Sequence, residues 1–323
     1  MSDYTVASSL ANSHSRFDMT LASVVGLLLA IGAIMVFSAS VGVQGSLEGE
    51  PTSYFEMFWR IGKHLASIVV GISVLVVASY VDITIWRRVS KVFFFVGILS
   101  LVILLVPGIG REVNGSTRWL TIGTVGIQPS ELVKILVILY LADYLASNTA
   151  KLKSFVVTIV RPAVPLALLT LLFLLQPDLG SAVVVLSVAL GILFLSGVRL
   201  YYLAGALVAV SAVLGVLTMI SEYRLERLLC FQDPFADATG CGYQLVQALI
   251  AVGSGEWFGV GLGSSVQKLF YLPHANNDFL VAVIAEELGF LGIMILVVLY
   301  GCLLYTSDAA DERSSVDLGG RRI

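Results

Sequence analysis

Three carboxylates, Glu131, Asp178 and Asp278, each stand in or beside the opening of a long apolar run. A carboxylate in that position can do two things. It can complement the free N–H groups and the positive end of a helix dipole. It can also act as a general base on a hydroxyl brought within hydrogen-bond reach. For any one of the three, capping is the simpler account. Three together, beside a long glycine-rich segment, point to a shared polar pocket. Lys134 follows Glu131 by three residues, so a helix puts both on one face. It falls roughly 7 Å along the axis from Gln128 and Pro129, near the edge of a hydrocarbon layer. Two roles fit it equally: a snorkelling lysine with an ion-pair partner, or a cation that holds an anionic headgroup in a cavity. Arg118 and Trp119 precede the Glu131 run. A tryptophan there is first of all a membrane anchor. Beside an arginine it could also stack on a sugar or help to bind phosphate.

Other polar residues have plainer readings. Glu286 and Glu287 lie about two turns into the last apolar run, too deep to face lipid. Hydrogen-bonded helix packing is favoured for them over a proton relay. Arg224, Glu226 and Arg227 read as a solvated interfacial patch. His64 and His274 do not have the spacing of a metal site, and His274, four residues before Asp278, reads as loop surface. Cys230, Cys241 and Cys302 form neither a disulfide framework nor a metal pattern. Cys230 and Cys241 share one loop and could pair, but free thiols are the expectation.

The elements that must position these residues are helices in a membrane. The 323 residues are 58% apolar and 13% charged, with mean hydropathy +0.94; soluble domains carry about 25% charged residues. A net charge of −3 argues against a nucleic-acid partner. The first apolar run, 19–40, exceeds the roughly 7–15 residues of a signal h-region and reads as a retained span. Apolar runs at 19–40, 61–81, 89–107, 129–147, 156–175, 180–197, 201–221 and 279–303 predict an all-α, polytopic transmembrane helical bundle of eight spans. Gln176-Pro177-Asp178-Leu179-Gly180 separates the fifth from the sixth. Arg87, Arg88 and Lys91, then Lys151, Lys153 and Arg161, then Arg199 mark short cytoplasmic loops. The N-terminus is then cytoplasmic, with residues 1–18 a polar tail, and loops 41–60, 108–128 and 222–278 lie outside. A loop as long as 222–278 is uncommon unless it has a function. After Leu304 the chain changes to YTSDAADERSSVDLGGRRI. This resembles translated sequencing-adapter read-through, so 304–323 is expected to be non-native.

The same residues resemble the SEDS family (shape, elongation, division and sporulation), which includes FtsW and RodA, from about Asp18 to Leu303. The resemblance rests on Gly115-Ser116-Thr117-Arg118-Trp119, Ile127-Gln128-Pro129-Ser130-Glu131-Leu132-Val133-Lys134, Gln176-Pro177-Asp178-Leu179-Gly180, Asp233-Pro234-Phe235-Ala236-Asp237, Gly242-Tyr243-Gln244-Leu245 and Glu286-Glu287-Leu288-Gly289. Gly261 to Leu269 followed by Tyr271-Leu272-Pro273 is similar to the FtsW branch. The resemblance implies a peptidoglycan glycosyltransferase that polymerises lipid II, the undecaprenyl-pyrophosphate-linked disaccharide-pentapeptide, at the outer face of the bacterial inner membrane. It implies a multi-pass protein at the division septum, with a class B penicillin-binding protein and other divisome proteins as partners. It places the catalytic aspartate on Asp278, polar cavity residues on Glu131, Lys134 and Asp178, and a loop pair on Arg118 and Trp119. The family pattern Pro-Glu-x-His-Thr-Asp-Phe is here Pro273-His274-Ala275-Asn276-Asn277-Asp278-Phe279, so the aspartate remains while its Glu and His neighbours are replaced. The family has ten spans, and a chain with eight is expected to be a C-terminally truncated fragment, which puts its own activity in question.

The implied chemistry needs one base, Asp278, because the leaving pyrophosphate is already an anion; glycosidases need a second carboxyl to protonate theirs. Positive charge on the pyrophosphate can come from Lys134, Arg118, a helix N-terminus or a divalent cation, and no other cofactor is implied. A lipid II flippase and a non-catalytic divisome scaffold are the competing activities.

Overall fold

The computed structural model describes residues 18–42, 54–113, 116–122, 125–273, 275 and 277–319. Every one of the eight predicted apolar runs is helical: α1 (Met19–Gly42), α2 (Tyr54–Tyr80), α3 (Ile83–Leu104), α4 (Pro129–Ser147), α5 (Arg161–Leu175), α6 (Leu179–Leu195), α7 (Leu200–Met219) and, last in the chain, α11 (Leu280–Gly319). Among the described residues, five stretches are long and apolar enough to cross a membrane: Met19–Ser40, Ile61–Tyr80, Val156–Leu175, Leu200–Met219 and Leu280–Ser307. The other three differ for local reasons. Helix α3 carries Arg87, Arg88 and Lys91, and α4 carries Glu131, Lys134 and Asp143. Helix α6 has 17 residues, about 25 Å of rise against a core of about 30 Å. The N-terminal tail is outside the described residues up to position 17, as are 320–323 at the other end.

Helix starts follow from capping. Asp82 caps α3 and accepts a hydrogen bond from the Thr84 N–H at 2.7 Å. Pro129 occupies the first turn of α4 behind Gln128, where its missing N–H costs nothing. Asp178 caps α6, accepting from the Ser181 N–H at 3.2 Å and the Ser181 hydroxyl at 2.7 Å. Pro177 stands immediately before that cap. Helix α5 is entered through a π-helical turn, Val156–Val160, a geometry that absorbs backbone irregularity just before Pro162 and Pro165.

The chain forms two compact units, Leu75–Leu225 and the remainder on either side of it. In the central unit, Phe94 and Leu101 of α3, Val133, Val137 and Leu141 of α4, Leu169 and Phe173 of α5, and Ala182 and Val185 of α6 make the buried core. Phe94 stacks on Tyr140 with ring centroids 4.2 Å apart. The buried Gln176 donates to the Leu101 carbonyl at 2.9 Å, fixing the α5–α6 turn to the end of α3. Between α3 and α4 the expected loop 108–128 holds a small antiparallel sheet, β1 (Gly110–Val113), β2 (Ser116–Ile122) and β3 (Val125–Ile127), in the order β1-β2-β3. Arg111 pairs with Trp119 and Leu120 with Ile127.

In the flanking unit, Met35 and Ala39 of α1 pack with Ala282, Val283 and Ile284 of α11. The expected loop 222–278 contains three further helices: α8 (Glu222–Gln232), α9 (Tyr243–Ser254) and α10 (Gln267–Phe270). Helix α9 is apolar but only 12 residues long, and Ala248 and Ala251 bury it in the same core. Cys230 and Cys241 are joined in a disulfide with Cα atoms 6.1 Å apart, which corrects the expectation of free thiols. The cause is local: Asp237 accepts from the N–H groups of Gly240 at 3.0 Å and Cys241 at 3.1 Å, turning the chain back toward the end of α8.

Helix α11 kinks at Gly289, which has φ 66° and ψ −163°. The segment after α9 closes on this kink through backbone hydrogen bonds. Val260 and Gly261 donate to the carbonyls of Glu286 and Glu287 at 2.9 and 3.1 Å, and Phe290 and Leu291 donate to those of Glu256 and Trp257 at 2.9 and 3.2 Å. These contacts fall roughly 9–17 Å along α11 from its start. Irregular backbone within a span must be satisfied by protein, and here the two irregular segments satisfy each other.

Candidate functional site

In the central unit the sheet and two helix openings bring four of the singled-out residues together as two pairs. Arg118 projects from β2 toward the α6 cap. Its guanidinium lies 3.8 Å from the Asp178 carboxylate and donates to the Pro177 carbonyl. Asp178 is buried and Arg118 is about one-third exposed. The Arg118 Nε is buried with no hydrogen-bond partner among the described residues. Asp178 thus does what an N-cap does and also neutralises an arginine. Lys134 donates to Glu131 at 2.8 Å across one helical turn. Glu131 is exposed and Lys134 is mostly covered, so the charged end of the lysine reaches outward to its partner. Ser130, between Pro129 and Glu131, has a buried hydroxyl without a hydrogen-bond partner among the described residues. Trp119 is 36% exposed; one edge of its indole lies on the strand opposite, over Gly126.

Asp278 belongs to the flanking unit. It is exposed, in the turn that precedes α11, and makes no hydrogen bond or ion pair among the described residues. The helix begins at Leu280, so Asp278 stands just before it. His274 and Asn276 lie outside the described residues. A solvent-facing carboxylate at a helix opening is chemically free to accept a proton from a hydroxyl, provided one is delivered to it.

The flanking unit also holds a polar cluster that the sequence did not disclose as such. Lys268, at the start of α10, is buried and paired with the equally buried Glu287 of α11. Lys268 also donates to the Ser38 hydroxyl of α1 at 2.8 Å, and Ser38 donates to the Glu287 carboxylate at 2.8 Å. The neighbouring Glu286 accepts from the N–H groups of Val266 at 2.9 Å and Gln267 at 3.4 Å, and from the Ser265 hydroxyl. The packing role expected for Glu286 and Glu287 is what these bonds perform. The available signal for Lys268 was a lysine isolated in an otherwise apolar, glycine-rich stretch. Among the described residues no three His, Cys, Asp or Glu side chains converge as metal ligands.

Residues 18–313 match the FtsW/RodA/SpoVE family of cell cycle proteins. The chain belongs to that family. Its relatives place it in the FtsW branch. It is 42% identical over 292 residues to the probable peptidoglycan glycosyltransferase FtsW of Thioalkalivibrio sulfidiphilus, covering 90% of this chain and 72% of that one. It is 45% identical over 287 residues to the protein of the same name from Aromatoleum aromaticum, covering 88% and 68%. Among solved structures, a chain described under structural coordination of polymerization and crosslinking by a peptidoglycan synthase complex superposes with TM-score 0.68 at 25% identity, covering 90% of this chain and 76% of that one. The Thermus thermophilus rod shape determining protein RodA shares the fold, with TM-score 0.58 at 24% identity and 91% and 75% covered. The helical architecture of this FtsW-branch chain is thus that of the family's membrane proteins, and the motif residues sit on α4, α6, β2 and the opening of α11.

Proposed function

We propose that this chain is a peptidoglycan glycosyltransferase that polymerises lipid II at the outer face of the bacterial inner membrane, at the division septum. The observation that carries the reading is the match to relatives named peptidoglycan glycosyltransferase FtsW along about nine-tenths of the chain. Asp278 is the general base. It takes the proton of the acceptor sugar hydroxyl as that oxygen attacks the anomeric carbon of the donor, and the pyrophosphate leaves with the bonding pair. The leaving group is an anion without added protons, so a single carboxylate suffices. That Asp278 is exposed and unpaired among the described residues supports this role.

Arg118 and Lys134 are the cations for substrate phosphate. Each is held by a carboxylate, Asp178 and Glu131, that a dianionic pyrophosphate can compete with. Trp119 offers an exposed aromatic edge next to Arg118 for a sugar ring. A divalent cation carried by the pyrophosphate would be a further source of positive charge for the leaving group. The partner is a class B penicillin-binding protein with other divisome proteins, in keeping with a structural neighbour described as a complex that coordinates polymerization and crosslinking.

The test is polymerisation of lipid II by purified protein in the presence of its partner. Asp278→Asn is expected to fold as the parent does and to lose glycan polymer by at least about 100-fold, the range seen for loss of general-base catalysis. Full polymerisation by the folded Asp278→Asn protein would sink the assignment. Movement of lipid II across proteoliposomes by that variant, with no polymer made by the parent, would instead favour a flippase.

A further inference from the structure

The buried Lys268–Glu287 pair plays no part in the chemistry above, yet its burial is costly. Both side chains are essentially inaccessible to solvent. Withdrawing two charges from water costs several kcal/mol per ion, and apolar residues of similar volume usually serve stability as well or better. What a buried pair supplies in exchange is registry.

The registry at stake here is specific. Lys268 and Glu287 are 19 residues apart, and their contact closes a loop whose outward limb is residues 268–279 and whose return limb is the first two turns of α11. Asp278 lies near the middle of that loop, ten residues from Lys268 and nine from Glu287. The closure is doubled by the adjacent Glu286, whose carboxylate takes the N–H groups of Val266 and Gln267. It is braced on a third element by the Ser38 hydroxyl of α1, which accepts from Lys268 and donates to Glu287. Along the outward limb, Leu272 and Ala275 are buried in the core shared by α1, α9 and α11, while Asn277 and Asp278 emerge exposed. One end of the exposed carboxylate's segment is therefore clamped by charge, and its middle by packing.

We infer that Lys268 and Glu287, bridged by Ser38, are positioning residues that fix the register of the segment presenting Asp278. The inference rests on the reading of Asp278 as the base. Both side chains are buried, and they act on Asp278 through the backbone that joins them.

The test replaces the pair by apolar residues of similar length, Lys268→Met with Glu287→Leu, in the full chain with its partner. No stranded charge remains, so the protein is expected to fold and to resist denaturation at least as well as the parent. Two readouts are followed. Hydrogen exchange of residues 269–272 is expected to quicken by about tenfold or more, and kcat for lipid II polymerisation to fall about 10–100-fold with KM unchanged, the scale of a small misplacement of a reacting group. Parental exchange rates together with parental kcat in the folded double variant would overturn the inference. Faster exchange with parental kcat would instead sink the assignment of Asp278 as base, which Asp278→Asn, run in parallel, reports independently by retaining activity. Should the double variant fail to fold, Ser38→Ala keeps both charges and removes only the bridge. It is expected to quicken the same exchange about fivefold, matching the loss of a hydrogen bond of about 1 kcal/mol; no change in exchange there would equally overturn the inference.

Discussion

Substituting Gly289 by alanine should separate the α9 loop from the kink in α11, and the size of the effect can be worked from the geometry. Gly289 has φ 66° and ψ −163°, a region open essentially to glycine alone, where another residue costs about 1–3 kcal/mol. A Cβ at this position would lie 2.4 Å from the Gly259 nitrogen and 2.7 Å from the Phe258 nitrogen. Those neighbours are backbone, so no side chain can swing aside. Relief requires either overpacking strain of about 1–3 kcal/mol or loosening of the four cross-bonds between 256–261 and 286–291, each worth about 0.5–1.5 kcal/mol. The total is about 4 kcal/mol. Gly26→Ala is the matched control: it lies within α1 with nothing inside 4 Å of the added carbon and should stabilise by up to about 1 kcal/mol through helix propensity. Denaturant titration in mixed micelles measures both. Trp257, whose ring meets that of Phe290 edge-on at 5.1 Å, gives a local fluorescence signal for the same contact. A Gly289→Ala protein as stable as the parent, with the Trp257 signal unmoved, would refute the account of the kink as a closed joint between two irregular backbones.

Two further outcomes follow from the loops. Denatured without reductant, the protein should expose one titratable thiol, Cys302, and after reduction three; Cys230→Ser should lower stability by at most about 3 kcal/mol, the chain-entropy value for so short a loop. At the start of α3, hydrogen bonds from the Thr84 hydroxyl and then the Thr84 N–H hold the Asp82 carboxyl below its usual range. A depressed folded value means the cap is at full strength above the unfolded value and is lost as pH falls through the folded one. Protection of the first amides of α3, taken as exchange relative to the unfolded chain at the same pH, should therefore fall on acidification through that window and stay level in Asp82→Asn; the same acid loss of protection in that variant would contradict it.

What the sequence disclosed and what it withheld divide by range. The helices of the apolar runs were legible because apolar length is a one-dimensional property, and Glu131 with Lys134 because three residues on a helix are neighbours. The Arg118–Asp178 contact was withheld, since nothing local ties a strand residue to a distant helix cap. Helix α9 was read as loop because its 12 apolar residues fall short of a span, although burial of Ala248 and Ala251 is what holds it. The small sheet went unseen because Ser116–Ile122 mixes serine, threonine and arginine with apolar residues and owes its form to pairing partners. Lys268 was hidden for the opposite reason to Glu287: an acid pair deep in an apolar run attracts notice, while a lysine in a loop looks solvated until its burial is known.

The interlocked backbones at Gly289 also set an order of assembly. The donors and acceptors of residues 256–261 emerge from the ribosome about thirty residues ahead of their counterparts at 286–291, a delay of a few seconds at roughly 5–20 residues per second. During that interval the peptide groups of the newborn 256–261 segment lack these partners and are served by water. Only once α11 has followed can this segment shed that water, so the two stretches of irregular backbone are buried as a couple.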